Sequence, residues 1–139
     1  MSKQPVEYLR HILDECRFII SATSGMTKDQ LLEDEVMKRA LVRSLEIIGE
    51  ATKKIPIDVK LKWHTISWKN MAGMRDRLIH DYVGVNYSIV WNVVLNIIPE
   101  LENQIIAAIE EQESLSLVFF NWRKVFMRQY LKKNTQTEY

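Results

Sequence analysis

The sequence predicts an all-α protein, an up-and-down helical bundle of four main helices with a fifth at the C-terminus. Two observations carry this. Glycine and proline number only 4 and 3 in 139 residues, too few for the many tight turns of a sandwich or barrel. Apolar residues also recur at steps of three and four along most of the chain, the period of a helix that buries one face. With 47% hydrophobic residues the chain can bury one core of ordinary size, and its length suits one domain.

The first helix opens at Pro5, where a missing N–H costs nothing. It buries Val6, Leu9, Ile12, Leu13, Cys16, Ile19 and Ile20, and stops near Ser24-Gly25. Thr27 and Gln30 have the spacing of a capping box. They begin a long helix reaching Lys54, with Leu31, Leu32, Val36, Ala40, Leu41, Leu45 and Ile48 on its inner face. Ile55-Pro56 ends it, because a residue before proline avoids the α region. Residues 57–65 form a connector with at most a short helical turn. Ser67 can cap a third helix through Trp68, Met71, Met74, Leu78 and Ile79, which Gly84 closes. Asn86 or Tyr87 opens a fourth, with Ile89, Val90, Val93, Val94, Ile97, Leu101, Ile105 and Ile109 inward. Pro99 falls inside it and should kink it. After Glu113 the pattern restarts as Leu115, Val118, Phe119, Trp122, Val125, Phe126 and Tyr130, a fifth amphipathic helix.

Composition narrows the function. The formal net charge of +1 excludes a polycation that coats nucleic acid. The charge is uneven: Trp122 to Tyr139 holds five basic residues against Glu138 alone, leaving the remainder mildly acidic. Cys16 is the single cysteine, so neither an intrachain disulfide nor a thiolate metal cluster can form. No signal peptide and no apolar run of membrane-spanning length is present, which points to the cytoplasm. No glycine-rich phosphate loop or nucleophilic triad signature occurs, and no metal site or cofactor is expected. Glu46 and Glu50, an i,i+4 pair, read as surface charge before they read as metal ligands. Trp63, Trp68, Trp91 and Trp122 read as core or interface residues.

Of three histidines, His11 and His64 have no second catalytic-type residue at an informative spacing. His80 does. Arg75, Asp76, Arg77, His80 and Asp81 place five ionisable groups within seven positions at a helix end. Such a cluster can be a solvated terminal turn whose charges pair locally. It also has what RNA cleavage needs: an imidazole to exchange protons and a guanidinium to hold phosphate. Arg75 and His80 lie about 140° apart around an ideal helix, so a site is easier to build at a fraying end or between two helices. One chain supplies one good proton-transfer histidine, and a symmetric dimer would supply two.

Arg75-x4-His80-x-Tyr82 resembles the R-x4-H-x-Y motif of HepT-like toxins in the HEPN superfamily. Further stretches are similar to the same family: Ser44–Ala51 followed by Ile55-Pro56, Trp68–Asp76 leading into the motif, Val90-Trp91, and Ile98-Pro99-Glu100-Leu101. The resemblance covers the first four-fifths of the chain. It implies a helical-bundle homodimer with metal-independent endoribonuclease activity on RNA, Arg75 and His80 as the catalytic pair, and Asp76 as the polar residue following the arginine. It also implies a partner, a minimal nucleotidyltransferase antitoxin of the MntA type, which transfers AMP to the motif tyrosine, here Tyr82. Arg77 and Lys69 are added as candidate substrate-binding residues. The competing reading is a non-catalytic dimeric adaptor, or a regulatory subunit, that binds a nucleotidyltransferase. Residues 1–111 form the family-like bundle, and residues 112–139 a basic helical extension, either packed on the bundle or projecting as an arm.

Overall fold

The computed structural model describes residues 4–79 and 84–134; for Arg75 and Ile79 the backbone alone is described. Among the described residues the regular structure is all helical, without a strand, and the all-α bundle expected from the pattern is what forms. No described helix is long and apolar enough to cross a membrane.

Helix α1 spans Pro5–Thr23 with Pro5 in its first turn, and Ser24 caps its end. Gly25 follows at φ 74°, a left-handed conformation that an L side chain rarely adopts. Helix α2, Lys28–Glu33, opens on the expected capping box: Thr27 Oγ1 accepts from Gln30 N–H, and the Gln30 side chain accepts from Thr27 N–H. Here the structure departs from the single long helix. Asp34 leaves the helical region at φ −99°, ψ 94°, and its carboxylate caps α3, Glu35–Lys54, by accepting from Met37 N–H at 2.9 Å. The break resets the phase, so Val36, expected inside, is 80% exposed and Leu32 also faces out. Beyond the break Leu41, Leu45 and Ile48 are fully buried, as the period requires.

Ile55 ends α3 before Pro56, and the connector holds a two-turn helix, α4, Ile57–Lys62. The expected third helix is divided at Gly73 into α5, Trp68–Ala72, and α6, Met74–Ile79. Ser67 stands at the N-cap of α5 without a side-chain capping bond. Asn86 caps α7, Tyr87–Asn92, accepting from Ser88 N–H and Ile89 N–H. A π turn, Val93–Ile97, then leads into α8, Ile98–Asn134. The wider turn answers the Pro99 problem: proline brings no N–H to the ladder, and a π segment just before it re-spaces the carbonyls.

The core lies between α1, α3 and α8, with α5, α6 and α7 packed at its side. Leu9, Ile12, Ile19, Leu41, Leu45, Ile48, Val90, Ile98 and Ile105 have no exposed surface. Helix α8 does not stop at Glu113. The expected fifth helix is its continuation, and the proposed boundary at residue 111 falls inside one unbroken helix. Its proximal half, through Ile109, is buried in the bundle. From Leu115 onward its large apolar side chains are 44% exposed or more.

Candidate functional site

Helices α5 and α6 hang from the bundle by their apolar side chains. Trp68 is 8% exposed, and its indole N–H donates to the carbonyls of Trp63 at 3.0 Å and Lys60 at 3.2 Å, tying α5 to the end of α4. Met71, Met74 and Leu78 are buried, and both short helices lie against α3. Three buried positions at steps of three and four leave the intervening residues facing out. Asp76 and Arg77 are accordingly exposed on α6. A helix of two turns could not hold such a charged face unaided; the buried methionines and Leu78 hold it.

Beside α6 runs a groove of about 230 Å³, bounded on the other side by α7, the π turn and the start of α8. Its floor is apolar, made by Met71, Met74, Leu78 and Val93, with Ile89 and Ile97 on the wall. This explains why Ile89 and Ile97, expected in the core, are 44% and 41% exposed. Its polar groups are Asn70, Arg77, Glu100 and Gln104, with Thr65 and Ser67 at one end. Gln104 Nε2 reaches the Thr65 carbonyl at 3.5 Å and so links α8 to the connector. A mostly apolar groove with a few convergent amides and one guanidinium is suited to a flat, hydrogen-bonding ligand.

Arg77 therefore stands at a groove. Lys69 belongs to a different cleft, shared with Lys60, His64 and Asn70, so the two candidate substrate-binding residues do not converge on one pocket. His11 lies in a shallow surface depression with Glu7, Arg10 and Asp14. Glu46 and Glu50 pair along α3 with Arg43 at 3.3 Å and Lys53 at 3.6 Å, the surface-charge reading of that pair. Arg75 has its backbone in α6, with its side chain outside the described residues. His80 and Tyr82 lie outside the described residues altogether. Asn70, Glu100 and Gln104 carry no signal in the sequence, because Asn70 on α5 meets Glu100 and Gln104 on α8 only through the packing of the two helices.

Comparison with known proteins agrees with the family resemblance. The family model described as HepT-like ribonuclease matches residues 12–108, a span that contains the whole of α6 and the R-x4-H-x-Y segment. A protein of Caldanaerobacter subterraneus subsp. tengcongensis, provisionally named an RNase, is 48% identical over 111 residues, covering 80% of this chain and 99% of the relative. One from Methanocaldococcus jannaschii, with the same provisional name, is 43% identical over 122 residues, covering 84% of this chain and all of the relative. A Thermococcus cleftensis protein, provisionally named ribonuclease HepT, is 38% identical over 104 residues, covering 75% of this chain and 94% of the relative. No solved structure matches the chain significantly. With the family model spanning most of the chain and these relatives matched over nearly their full lengths, the chain belongs to the HepT-like ribonuclease family.

Proposed function

We propose that this protein is a metal-independent endoribonuclease toxin of a toxin–antitoxin system, acting as a homodimer in the cytoplasm. The observation that carries the reading is the Arg75-x4-His80-x-Tyr82 segment within a chain of the HepT-like ribonuclease family. In the reaction the ribose 2′-oxygen bonds to the adjacent phosphorus and the P–O5′ bond breaks. A histidine accepts the 2′ proton, and a second one, from the other copy's motif, gives a proton to the departing 5′ oxygen. Arg75 neutralises the charge that builds on the phosphate oxygens. Asp76, next to Arg75 and exposed, is suited to orienting a basic group at the site. Arg77, at the mouth of the groove, is suited to a neighbouring phosphate or base, while Lys69 serves a more distant part of the RNA.

A nucleotidyltransferase antitoxin of the MntA type silences the enzyme in this reading by transferring AMP to Tyr82. The added phosphodiester competes for Arg75 and repels an incoming RNA phosphate.

Cleavage of RNA in EDTA tests the proposal. Wild type should cleave and leave 2′,3′-cyclic phosphate ends. His80→Ala and Arg75→Ala should each lose ~10²–10⁴-fold in rate with helical circular dichroism unchanged. Cleavage at the wild-type rate by both variants overturns the catalytic assignment, and activity that returns only with Mg²⁺ or Mn²⁺ overturns metal independence. Incubation with the nucleotidyltransferase and ATP should add AMP mass at Tyr82, and Tyr82→Phe should escape it.

A further inference from the structure

The distal half of α8 is an exposed apolar rod. From Ser114 to Asn134 it extends ~30 Å at 1.5 Å per residue. Where it leaves the bundle it is tied down on two sides: Arg10 of α1 pairs with Glu113, and Lys62 of α4 pairs with Glu111 at 2.8 Å. Beyond that collar Val118, Phe119, Trp122, Phe126 and Tyr130 are 64%, 73%, 62%, 52% and 55% exposed. They recur at steps of three and four, so they form one stripe, and Trp122 stacks on Phe126 with ring centroids 5.4 Å apart. Because the helix is continuous, the stripe cannot fold back onto its own bundle.

We infer that this stripe is a self-association surface, on which the arm pairs antiparallel with the arm of a second copy. Two observations select this occupant, and a third separates the surface from the motif. The first is area. A fully buried aromatic contributes 150–250 Å², so four aromatics in this state of exposure, with Leu115, Val118 and Val125, offer roughly 600 Å² per copy. The pair would bury roughly 1,200 Å², the lower end of the range for specific interfaces. The second is charge. The base of the arm holds Glu110, Glu111 and Glu113, and its outer part holds Arg123, Lys124, Arg128, Lys132 and Lys133. An antiparallel pair centred near Trp122 sets Lys132 and Lys133 of one copy against residues 111–112 of the other. A parallel pair would set the basic tips side by side. Since Glu111 and Glu113 already meet Lys62 and Arg10, charge selects the direction and apolar burial supplies the affinity. The third is position. The family match ends at residue 108, and the 111-residue alignment that spans 99% of one relative leaves a fifth of this chain unmatched. The arm thus lies beyond the span matched by the family, and its pairing uses nothing from the Arg75–Tyr82 segment.

A zero-length carbodiimide cross-link in an equimolar mixture of ¹⁴N- and ¹⁵N-labelled full-length protein tests this. Within one chain the rigid helix holds Glu113 and Lys132 ~28 Å apart, beyond the reach of a zero-length bond. Antiparallel pairing should give mixed-isotope peptides joining Lys132 or Lys133 to Glu110, Glu111 or Glu113. The double variant Trp122→Glu/Phe126→Glu should abolish them while keeping the helical circular dichroism. Absence of these mixed peptides in the wild type overturns the inference. Photocross-linking of an oligoribonucleotide to the arm, or flotation with phosphatidylserine vesicles, in a preparation free of mixed peptides would reassign the stripe to RNA or to a lipid surface. Ribonuclease activity is read separately, so loss of cleavage and loss of pairing are distinguishable.

Discussion

The two halves of α8 have the same kind of sequence and opposite fates. Ile98, Leu101, Ile105 and Ile109 recur at three- and four-residue steps and are buried. Leu115, Val118, Phe119, Trp122 and Phe126 recur the same way and are exposed. Periodicity states that a helix has an apolar face; it does not state what covers that face. The proximal half finds α1 beside it, whose N-terminal part meets Glu113 through Arg10. The distal half has run past the end of α1. The difference lies in the partner, not in the pattern.

The sharpest way to break this contrast is to delete equal chemistry from each half. Ile105→Ala removes a fully buried side chain and should cost ~2–5 kcal/mol of unfolding free energy. Phe119→Ala, at 73% exposure, should stay within about 0.5 kcal/mol when urea unfolding is followed in dilute protein, where association adds nothing. Similar losses for the two would mean that the arm is packed against its own bundle.

Truncation after Gln112 sharpens the comparison further. The remaining chain approximates the length of the Caldanaerobacter relative, and it keeps every side chain of the core that is buried among the described residues. It should fold with an unchanged thermal midpoint at low concentration, and its molar helical ellipticity should fall by the share of the arm. A truncated chain that fails to fold would show the arm to be part of the bundle.

Much of this was readable beforehand because helix ends are chemically marked. Pro5, Thr27 with Gln30, Ile55-Pro56 and Asn86 all stand at helix boundaries in the structure. Asp34 gives no sign of a break because Leu31, Leu32 and Val36 continue a helical period across it, and capping by a single aspartate is a local choice that periodicity does not report. The division at Gly73 was hidden for the same reason: Met71 and Met74 face the core from different helices at the spacing of one. The apolar period pauses between Ile109 and Leu115, yet the polar residues there have no obligation to end a helix, and Ser114 Oγ simply donates to the Glu110 carbonyl. The site was legible only as far as it is local. The motif occupies consecutive positions, whereas the Asn70–Arg77–Glu100–Gln104 groove depends on how α5, α6 and α8 meet.

Capping gives a smaller test of the same lesson. Asp34→Ala should cost ~0.5–2 kcal/mol through the lost bond to Met37 N–H. Asp34→Asn, which keeps an acceptor, should recover most of it. Equal losses for the two variants would mean that the break between α2 and α3 is held by packing and not by the cap.

The last contrast between the two halves has a reporter inside the bundle. Cys16 is fully buried where α1 packs on the proximal half of α8. Burial, then the negative charges of Glu102 and Glu15, push its thiol from 9.0 up to about 12. The native state thus keeps the thiol neutral while an unfolded chain ionises it. With the folded value raised, this contribution to stability is complete below pH 9 and is lost as pH climbs from about 9 towards 12, by ~1.4 kcal/mol per unit at most. Cys16→Ala should flatten that part of the stability curve, against an offset from the lost side chain. At pH 8 an aromatic disulfide reagent should reach Cys16 only through opening of the bundle. The labelling rate should rise in Ile105→Ala and be unchanged in the chain truncated after Gln112. Equal acceleration in both would mean that the arm, exposed along its length, nevertheless holds the bundle closed.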